Sequence, residues 1–133
     1  MAFDFHKDLP YGEDFEYRIA KQLWPKHNCW KIDGYFKPFD LVCDDCGLTI
    51  ECKTDRYRTG NMVFEVDLLN LSQADILVYE VMDKIYWGHL ENVRYWIRLA
   101  ITVDGLERQN MGENGNKGYI IPIKDTKMYL EEL

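Results

Sequence analysis

The stretch from residue 37 to residue 53 restricts the fold of this chain more than any other part of the sequence. Its two short apolar runs are separated by a polar turn, which is typical of two strands joined as a hairpin. Side chains alternate along a strand, so Glu51 and Lys53 lie on one face of the second strand and Cys52 lies on the other. Hairpin pairing then brings the carboxylate of Asp40, on the first strand, beside Glu51.

These charged residues predict a metal site. Two carboxylates a few ångströms apart repel each other, and each shifts the pKa of the other unless a cation lies between them. Mg²⁺ and Mn²⁺ are hard divalent cations that take oxygen ligands, so either ion removes that cost. Lys53 can then orient a water molecule or stabilise the charge that develops on a phosphate oxygen. Asp40, Glu51 and Lys53 therefore predict metal-assisted hydrolysis of a phosphodiester bond.

The tripeptides Pro-Phe-Asp at residues 38–40 and Glu-Cys-Lys at residues 51–53 resemble the bipartite signature of the PD-(D/E)xK nuclease superfamily. This group includes Holliday-junction resolvases, restriction endonucleases and repair nucleases. Phe39 departs from the pattern, since it separates the proline from the aspartate. The resemblance implies an α/β fold with a restriction-endonuclease-like αβββαβ core, a central mixed sheet flanked by helices, over roughly residues 12–100.

The resemblance also assigns roles to the signature residues of a DNA endonuclease. Asp40, Glu51 and the backbone carbonyl of Cys52 would hold Mg²⁺, with Mn²⁺ as a substitute, and Lys53 would position or activate water. A single compact domain fits recognition of DNA shape better than reading of sequence, so branched DNA such as a Holliday junction is the expected substrate. Such enzymes resemble homodimers that place two sites against two strands, so a homodimer is expected as well.

A glutamate on the first expected helix is a further candidate. Residues 10–24 form that helix, with Phe15 and Ile19 facing the core. In junction resolvases a glutamate on the first helix joins the metal site, and the resemblance assigns this role to Glu16. The alternative is an ordinary solvated glutamate.

Basic and polar residues near the strands are the candidates for contact with DNA. Arg56 and Arg58 follow the catalytic lysine closely and can hold phosphates, and Lys37 and Asn61 join them as expected DNA contacts. A solvated turn is the alternative for the two arginines. Glu65 shares a strand face with Asn61, so it is either an additional acid near the metal or a hydrogen-bonded strand glutamate.

The rest of the sequence alternates between apolar runs and polar turns. Trp87 and Trp96 are expected in the core. Further expected strands are 62–66, 76–81, 85–88 and 119–123, further helices are 91–101 and 127–133, and residues 103–118 form an expected mobile loop.

Length and composition limit the classes of protein that this chain can represent. We expect one domain over residues 1–133, since the chain is long enough for one core and too short for two. A net charge of −7 argues against a surface that binds nucleic acid everywhere. No run approaches the roughly 20 apolar residues of a membrane span, and the first residues lack the basic and apolar stretches of a signal peptide, so we expect none. With four cysteines, this favours the reducing cytoplasm and no membrane partner.

Several alternatives remain open at this point. Cys43 and Cys46 have the spacing of a zinc knuckle, although a structural zinc site needs four ligands and no second pair follows. A zinc-stabilised interaction protein is therefore one rival. A non-catalytic nucleic-acid-binding module of the same fold is another. Within the nuclease hypothesis, duplex DNA and single-stranded DNA ends compete with branched DNA as substrates.

Overall fold

The computed structural model describes residues 15, 16, 18–21, 29–31, 39–55, 58–110 and 117–133. Strands in this part of the chain are β1 (Cys29–Lys31), β2 (Leu41–Cys43), β3 (Thr49–Asp55), β4 (Asn61–Glu65), β5 (Ile76–Val81), β6 (Lys84–His89), β7 (Gln109–Asn110), β8 (Lys117–Pro122) and β9 (Glu131–Glu132). Helices are α1, with helical residues 15, 16 and 18–21, α2 (Val66–Leu71), α3 (Leu90–Asp104) and a 3-10 helix (Ile123–Met128).

The strands form a mixed central sheet and a smaller antiparallel sheet. In the central sheet the strand order is β1-β2-β3-β5-β6-β9, and β3 and β5 run parallel while the other neighbours are antiparallel. In the second sheet the order is β4-β8-β7. A parallel pair needs a crossover connection, and the segment from β4 through α2 supplies it between β3 and β5.

Hydrophobic clusters cover both faces of the central sheet, because its buried strands carry apolar side chains on both sides. On one face, Ile76 and Val78 of β5 pack with α1, and we call this the α1 face. On the other face, Leu77 and Tyr79 pack with the second sheet, α2 and α3. Tyr79 joins the two sheets, since its hydroxyl accepts a hydrogen bond from the backbone N–H of Val63 at 2.9 Å.

The expected αβββαβ core is present, but the strand expected over residues 62–66 is not part of it. The order α1-β1-β2-β3-α2-β5 provides it, so Asp40 directly precedes the second strand of the core, β2, and Glu51 and Lys53 lie on the third, β3. The expected third strand, residues 62–66, corresponds to β4 of the second sheet. Both edges of β3 are occupied, by β2 and by β5, so β4 finds its partner in β8.

The helix after β6 follows the prediction closely. The expected 91–101 segment is α3, which buries Leu90, Val93 and Ile97 and ends at Gly105 in the left-handed region at φ 70°. Trp87 and Trp96 are partly buried, each packed against one of the two hydrophobic clusters. The helix extends beyond its expected end, which shortens the expected 103–118 loop. Strands β7 and β8 shorten it further, and residues 111–116 lie outside the described part.

The carboxyl-terminal prediction was wrong. Residues 127–133 were expected to be helical, but the 3-10 helix ends at Met128 and β9 then pairs with β6. Backbone pairing with the edge of β6 replaces helical hydrogen bonds, and the N–H of Leu133 donates to the carbonyl of Ile85 at 2.8 Å. The close approach needs a glycine at position 88, because a Cβ there would lie 2.6 Å from the carbonyl oxygen of Tyr129.

None of the helices in the described ranges combines the length and the apolar character that crossing a membrane requires.

Candidate active site

The charged end of β3 opens into a cleft. Glu51 and Lys53 of β3, Glu65 at the end of β4 and Asp67 of α2 line this space, which holds about 310 Å³. The expected alternation along β3 is confirmed, because Ile50 and Cys52 belong to the hydrophobic cluster on the opposite, α1 face. The period of two along the strand is the local reason that these charged side chains share one surface.

Asp40 lies directly beside this part of β3. Leu41 pairs with Ile50 in the antiparallel register, so one step along each strand places Asp40 opposite Glu51. The N–H of Asp40 donates to the carbonyl of Ile50 at 2.9 Å. Its carboxylate oxygen Oδ2 accepts a hydrogen bond from the backbone N–H of Cys52 at 2.7 Å, and the residue is only 7% exposed. The predicted proximity of Asp40 to the Glu-Cys-Lys strand is therefore present.

The backbone of Cys52 presents its polar groups toward Asp40. The N–H and C=O of one strand residue point to the same edge, as they do in an antiparallel hydrogen-bonded pair. The N–H of Cys52 donates to the Asp40 carboxylate, so the carbonyl oxygen of Cys52 points to the same edge of β3. This edge faces Asp40, which directly precedes β2. Two carboxylates and a carbonyl are the hard oxygen donors that suit Mg²⁺ or Mn²⁺, and Mg²⁺ in proteins keeps several waters beside one or two carboxylates.

Lys53 is held by a carboxylate from outside the central sheet. Its Nζ lies 2.7 Å from Oε1 of Glu65, and the two side chains are 25% and 30% exposed. Glu65 is also the residue that precedes the first turn of α2. This contact brings the predicted additional acid to the lysine, across the gap between the two sheets. Among the described residues that line the cleft, Glu51, Glu65 and Asp67 are acidic and Lys53 is basic, so these side chains together carry negative charge and attract cations.

Glu16 occupies a different position relative to the sheet. It is 8% exposed on α1, whose residues Phe15 and Ile19 pack into the cluster on the α1 face. Glu51 and Lys53 lie on the opposite face. In the described ranges no three His, Cys, Asp or Glu side chains are grouped as ligands of one metal ion. A role for Glu16 at the metal stays a prediction.

Two of the four expected DNA contacts, Arg58 and Asn61, lie in the described part of the chain. Lys37 and Arg56 fall outside the described residues. Arg58 is an exposed side chain that pairs with Asp83 at 3.0 Å, in the turn between β5 and β6. Asn61 begins β4, and its backbone N–H donates to the hydroxyl of Thr59 at 3.3 Å. None of these four assignments is tested by the geometry, and they stay predictions.

The cysteine pair lies in the turn after β2. Cys43 is buried and Cys46 is exposed, and the N–H of Cys46 donates to Sγ of Cys43 at 3.4 Å. A hydrogen bond between the two thiols raises the pKa of Cys46 above its usual value. These contacts hold the turn between β2 and β3 together.

The sequence analysis did not identify the α2 residues that line the cleft or the aspartate that holds the start of β3. Asp67, Leu68 and Leu71 of α2 line the cleft, but a helix of six residues is too short to show a clear apolar period. Asp75 anchors the start of β3, since its Oδ2 accepts hydrogen bonds from the N–H and the hydroxyl of Thr49 at 3.0 and 3.1 Å. The position of Asp75 just before an apolar strand was the available signal.

Comparison with known proteins supports the fold. The structure is similar to that of a Holliday junction resolvase, Hjc, from the archaeal hyperthermophile Archaeoglobus fulgidus, with a TM-score of 0.55 and 15% sequence identity over 92% of each chain. It is also similar to the bacterial homing endonuclease I-Ssp6803I, with a TM-score of 0.47 and 22% identity over 68% of each chain. No protein-family model matches the sequence, and a search of curated proteins finds no match. The predicted α/β fold, a central mixed sheet flanked by helices, is confirmed and matches the fold of Hjc.

Proposed function

We propose that this chain, which has the fold of a Holliday junction resolvase, is a metal-dependent DNA endonuclease that hydrolyses phosphodiester bonds. The observation that carries the proposal is the cleft. Glu51 and Lys53 line it from adjacent positions on one face of β3, and Asp40, directly before β2, lies opposite Glu51. A fold alone does not define an activity, so the argument rests on the chemistry of these side chains.

In this proposal, Asp40, Glu51 and the carbonyl of Cys52 hold Mg²⁺, and Mn²⁺ can replace it. The donor set fits, because all three are oxygen ligands on neighbouring strands. When bound, the metal neutralises charge on the phosphate and makes a coordinated water more acidic. The cleft is open enough, at about 310 Å³, to admit a phosphate and its neighbouring sugar.

Lys53 provides the positive charge of the site. Its ammonium group is a fixed donor that can bind a non-bridging phosphate oxygen or orient the attacking water, and it stabilises the charge that develops during hydrolysis. Glu65 is a positioning residue, because its carboxylate holds the Lys53 Nζ at 2.7 Å. It keeps the lysine pointed into the cleft in the absence of DNA.

Branched DNA such as a Holliday junction is the proposed substrate, and a homodimer is the proposed active form. The fold similarity to a resolvase supports branched DNA as the substrate. A homodimer would present two clefts, one for each of two strands. The negative net charge of −7 predicts modest DNA affinity that depends on the divalent cation and falls as salt rises.

The test is a cleavage assay with labelled four-way junction, duplex and single-stranded DNA, in Mg²⁺ or in EDTA. The wild-type chain is compared with Lys53→Ala and with Lys84→Ala. Lys84 is a matched control, since it is also a strand lysine paired with a glutamate, Glu132, at 3.3 Å. We expect cleavage in Mg²⁺ that is lost in EDTA and in Lys53→Ala and retained in Lys84→Ala.

The three DNA forms separate the substrates. Preferential cutting of the junction supports the resolvase-like activity, and preference for duplex or single-stranded DNA supports a restriction or exonuclease type of activity. Absence of metal-dependent cutting on all three forms would contradict the proposal and favour a non-catalytic binding module of the same fold.

A further inference from the structure

A second concave region lies on the far side of α2 from the cleft. It holds about 80 Å³, and three arginines from α3 and the segment after it line its rim: Arg94, Arg98 and Arg108. Asn70 of α2 and Tyr119 of β8 add polar groups, and we call this region the arginine pocket. Its volume is that of two to three liquid water molecules at about 30 Å³ each, which suits one tetrahedral oxyanion.

Arg94 forms its hydrogen bonds with other groups of the protein. Its Nε donates to the carbonyl of Leu69 and its terminal nitrogen donates to the carbonyl of Ser72, each at 2.6 Å, and it also contacts Glu91. These carbonyls belong to the last turn of α2 and the residue after it, where helix carbonyls have no intrahelical partners. Arg94 therefore fixes α2 against α3 and gives the pocket a rigid wall.

Arg98 and Arg108 differ from Arg94 in their surroundings. Both side chains are exposed, and neither forms an ion pair with another residue in the described ranges of the chain. They come from different elements, the middle of α3 and the segment before β7, yet they border the same pocket. Two guanidinium groups that border one pocket, whose described lining includes no carboxylate, are suited to bind a phosphate through several hydrogen bonds.

Helix α2 separates this pocket from the cleft. Asp67, Leu68 and Leu71 face the cleft, whereas Val66, Leu69 and Asn70 face the arginine pocket. A helix with its side chains is about 10–12 Å wide, so the two concave regions are separated by approximately that distance. The grooves of B-DNA are about 6 and 12 Å wide, so phosphates at both sites can belong to one DNA molecule.

We propose that Arg98 and Arg108 bind a backbone phosphate of the same DNA whose scissile phosphate enters the cleft. This inference rests on the proposed nuclease function and adds a phosphate contact that the sequence motifs do not indicate. The excess negative charge of the cleft cannot itself attract DNA before the metal binds. A separate basic contact across α2 supplies that attraction and sets the position of the backbone relative to Lys53.

The test measures binding of labelled junction DNA by fluorescence anisotropy in EDTA, between about 50 and 200 mM salt. The wild-type chain is compared with the double variant Arg98→Gln/Arg108→Gln. A second double variant, Lys124→Gln/Lys127→Gln, is the matched control, because it removes two exposed positive charges from the 3-10 helix and leaves the arginine pocket unchanged. Cleavage in Mg²⁺ at saturating DNA is measured for all three proteins.

We expect Arg98→Gln/Arg108→Gln to weaken binding about tenfold at the lowest salt and to reduce the slope of log K against log salt by about one to two. The control double variant is expected to change affinity less than about twofold and to keep the wild-type cleavage rate at saturation. Equal affinities and slopes for the two double variants would overturn the inference.

The outcome also separates this inference from the proposed function. DNA binding that depends on Arg98 and Arg108, without any Mg²⁺-dependent cutting, supports the phosphate contact and contradicts the nuclease activity. Cutting by the wild-type chain together with full affinity in the arginine variant supports the nuclease and contradicts the contact. Failure of the wild-type chain to bind DNA in EDTA contradicts the phosphate contact.

Discussion

In the described part of the chain, each face of the central sheet has an ion pair to a neighbouring element, Arg18 with Glu80 on one face and Lys53 with Glu65 on the other, and the two pairs differ in how their charges are balanced. On the α1 face, the guanidinium of Arg18 donates to both carboxylate oxygens of Glu80, at 2.7 and 3.0 Å. The hydroxyl of Thr54 donates to the same carboxylate at 3.1 Å. One positive group meets one negative group, and the carboxylate accepts from several donors.

The pair on the other face is arranged differently. Lys53 contacts Glu65 through a single pair of atoms at 2.7 Å, and Glu51 and Asp67 line the same cleft. Among the described residues that line the cleft, one ammonium group therefore faces several carboxylates. Charge of one sign in a partly buried space is unfavourable for folding, and it is typical of sites that bind an ion or a reacting group.

This difference separates a structural contact from a functional one. The Arg18 pair matches one guanidinium with one carboxylate, so its expected role is to hold α1 on the sheet. The Lys53 pair leaves a local excess of negative charge that a divalent cation can neutralise. The predictions below test whether stability and activity divide between the two faces as this comparison requires.

The largest expected effect concerns the buried hydrogen bond between Tyr79 and Val63. It lies on the same face of the central sheet as the cleft but outside the cleft itself. The Tyr79 hydroxyl accepts from the N–H of Val63 and lies 3.5 Å from a carboxylate oxygen of Asp55. Tyr79→Phe leaves that buried N–H without its partner, so we expect a loss of about 1–3 kcal/mol in the free energy of unfolding. Chemical denaturation measures it, and an unchanged cleavage rate at saturating DNA is expected below the unfolding midpoint.

The same residue gives a pH dependence. Burial raises the pKa of Tyr79 above its ordinary value near 10. Above about pH 10 the unfolded chain releases a proton that the folded chain retains, so stability falls as pH rises. We expect the stability difference between the wild-type chain and Tyr79→Phe to shrink from pH 9 to pH 11, each about one unit from that value. A constant difference across this range would contradict the assignment.

The next effect is on catalysis. Glu65→Gln removes the negative partner of Lys53 and keeps the size of the side chain, so the lysine loses its fixed orientation. We expect the cleavage rate at saturation to fall about tenfold while KM changes little, since a positioning residue acts through the reacting group. Single-turnover kinetics in Mg²⁺ measure both quantities. An unchanged rate would show that Glu65 has no positioning role.

The identical substitution on the other face is the comparison variant. Glu80→Gln keeps an acceptor for Thr54 and weakens the contact with Arg18, whose side chain is 45% exposed. We expect a loss of about 0.5–1 kcal/mol in unfolding free energy, limited by solvent screening, and an unchanged cleavage rate. A fall in cleavage rate comparable with that of Glu65→Gln would show that stability and activity do not divide between the two faces of the sheet.

The smallest expected effect is at the hairpin turn. Cys46 is exposed, and Cys46→Ser keeps a side chain of similar size, so we expect a change in cleavage rate of less than about twofold. Metal analysis of the purified chain complements this measurement, and we expect no zinc requirement for cutting. Loss of cutting in Cys46→Ser together with loss of bound zinc would favour a zinc-dependent structure.

Local patterns were sufficient to predict the part of the fold that holds the charged strand. The alternation from Ile50 to Lys53 fixed which side chains face the cleft, and the hairpin register placed Asp40 opposite Glu51. The 3.6-residue period identified α3, although its end at Gly105 depends on a left-handed residue rather than on the apolar pattern. These features depend on neighbours in sequence, so the sequence contains the information directly.

Features that depend on distant partners were not predictable in this way. Met62, Val63 and Phe64 are all buried, and a continuous apolar run fits either of two sheets equally well. The choice of β8 as partner depends on both edges of β3 being occupied. The same limit applies to Arg98 and Arg108, because they converge only after α3 and β7 have packed.

The most direct test of the central claim is a measurement of metal binding. Titration of Mn²⁺, followed by electron paramagnetic resonance, compares the wild-type chain with Asp40→Asn, Glu51→Gln and, as the matched control, Glu80→Gln. We predict one Mn²⁺ per wild-type chain, an affinity at least about tenfold lower in the Asp40 and Glu51 variants, and an unchanged affinity in the control. Equal Mn²⁺ affinity in all four proteins would contradict the claim that Asp40 and Glu51 hold a catalytic cation beside Lys53.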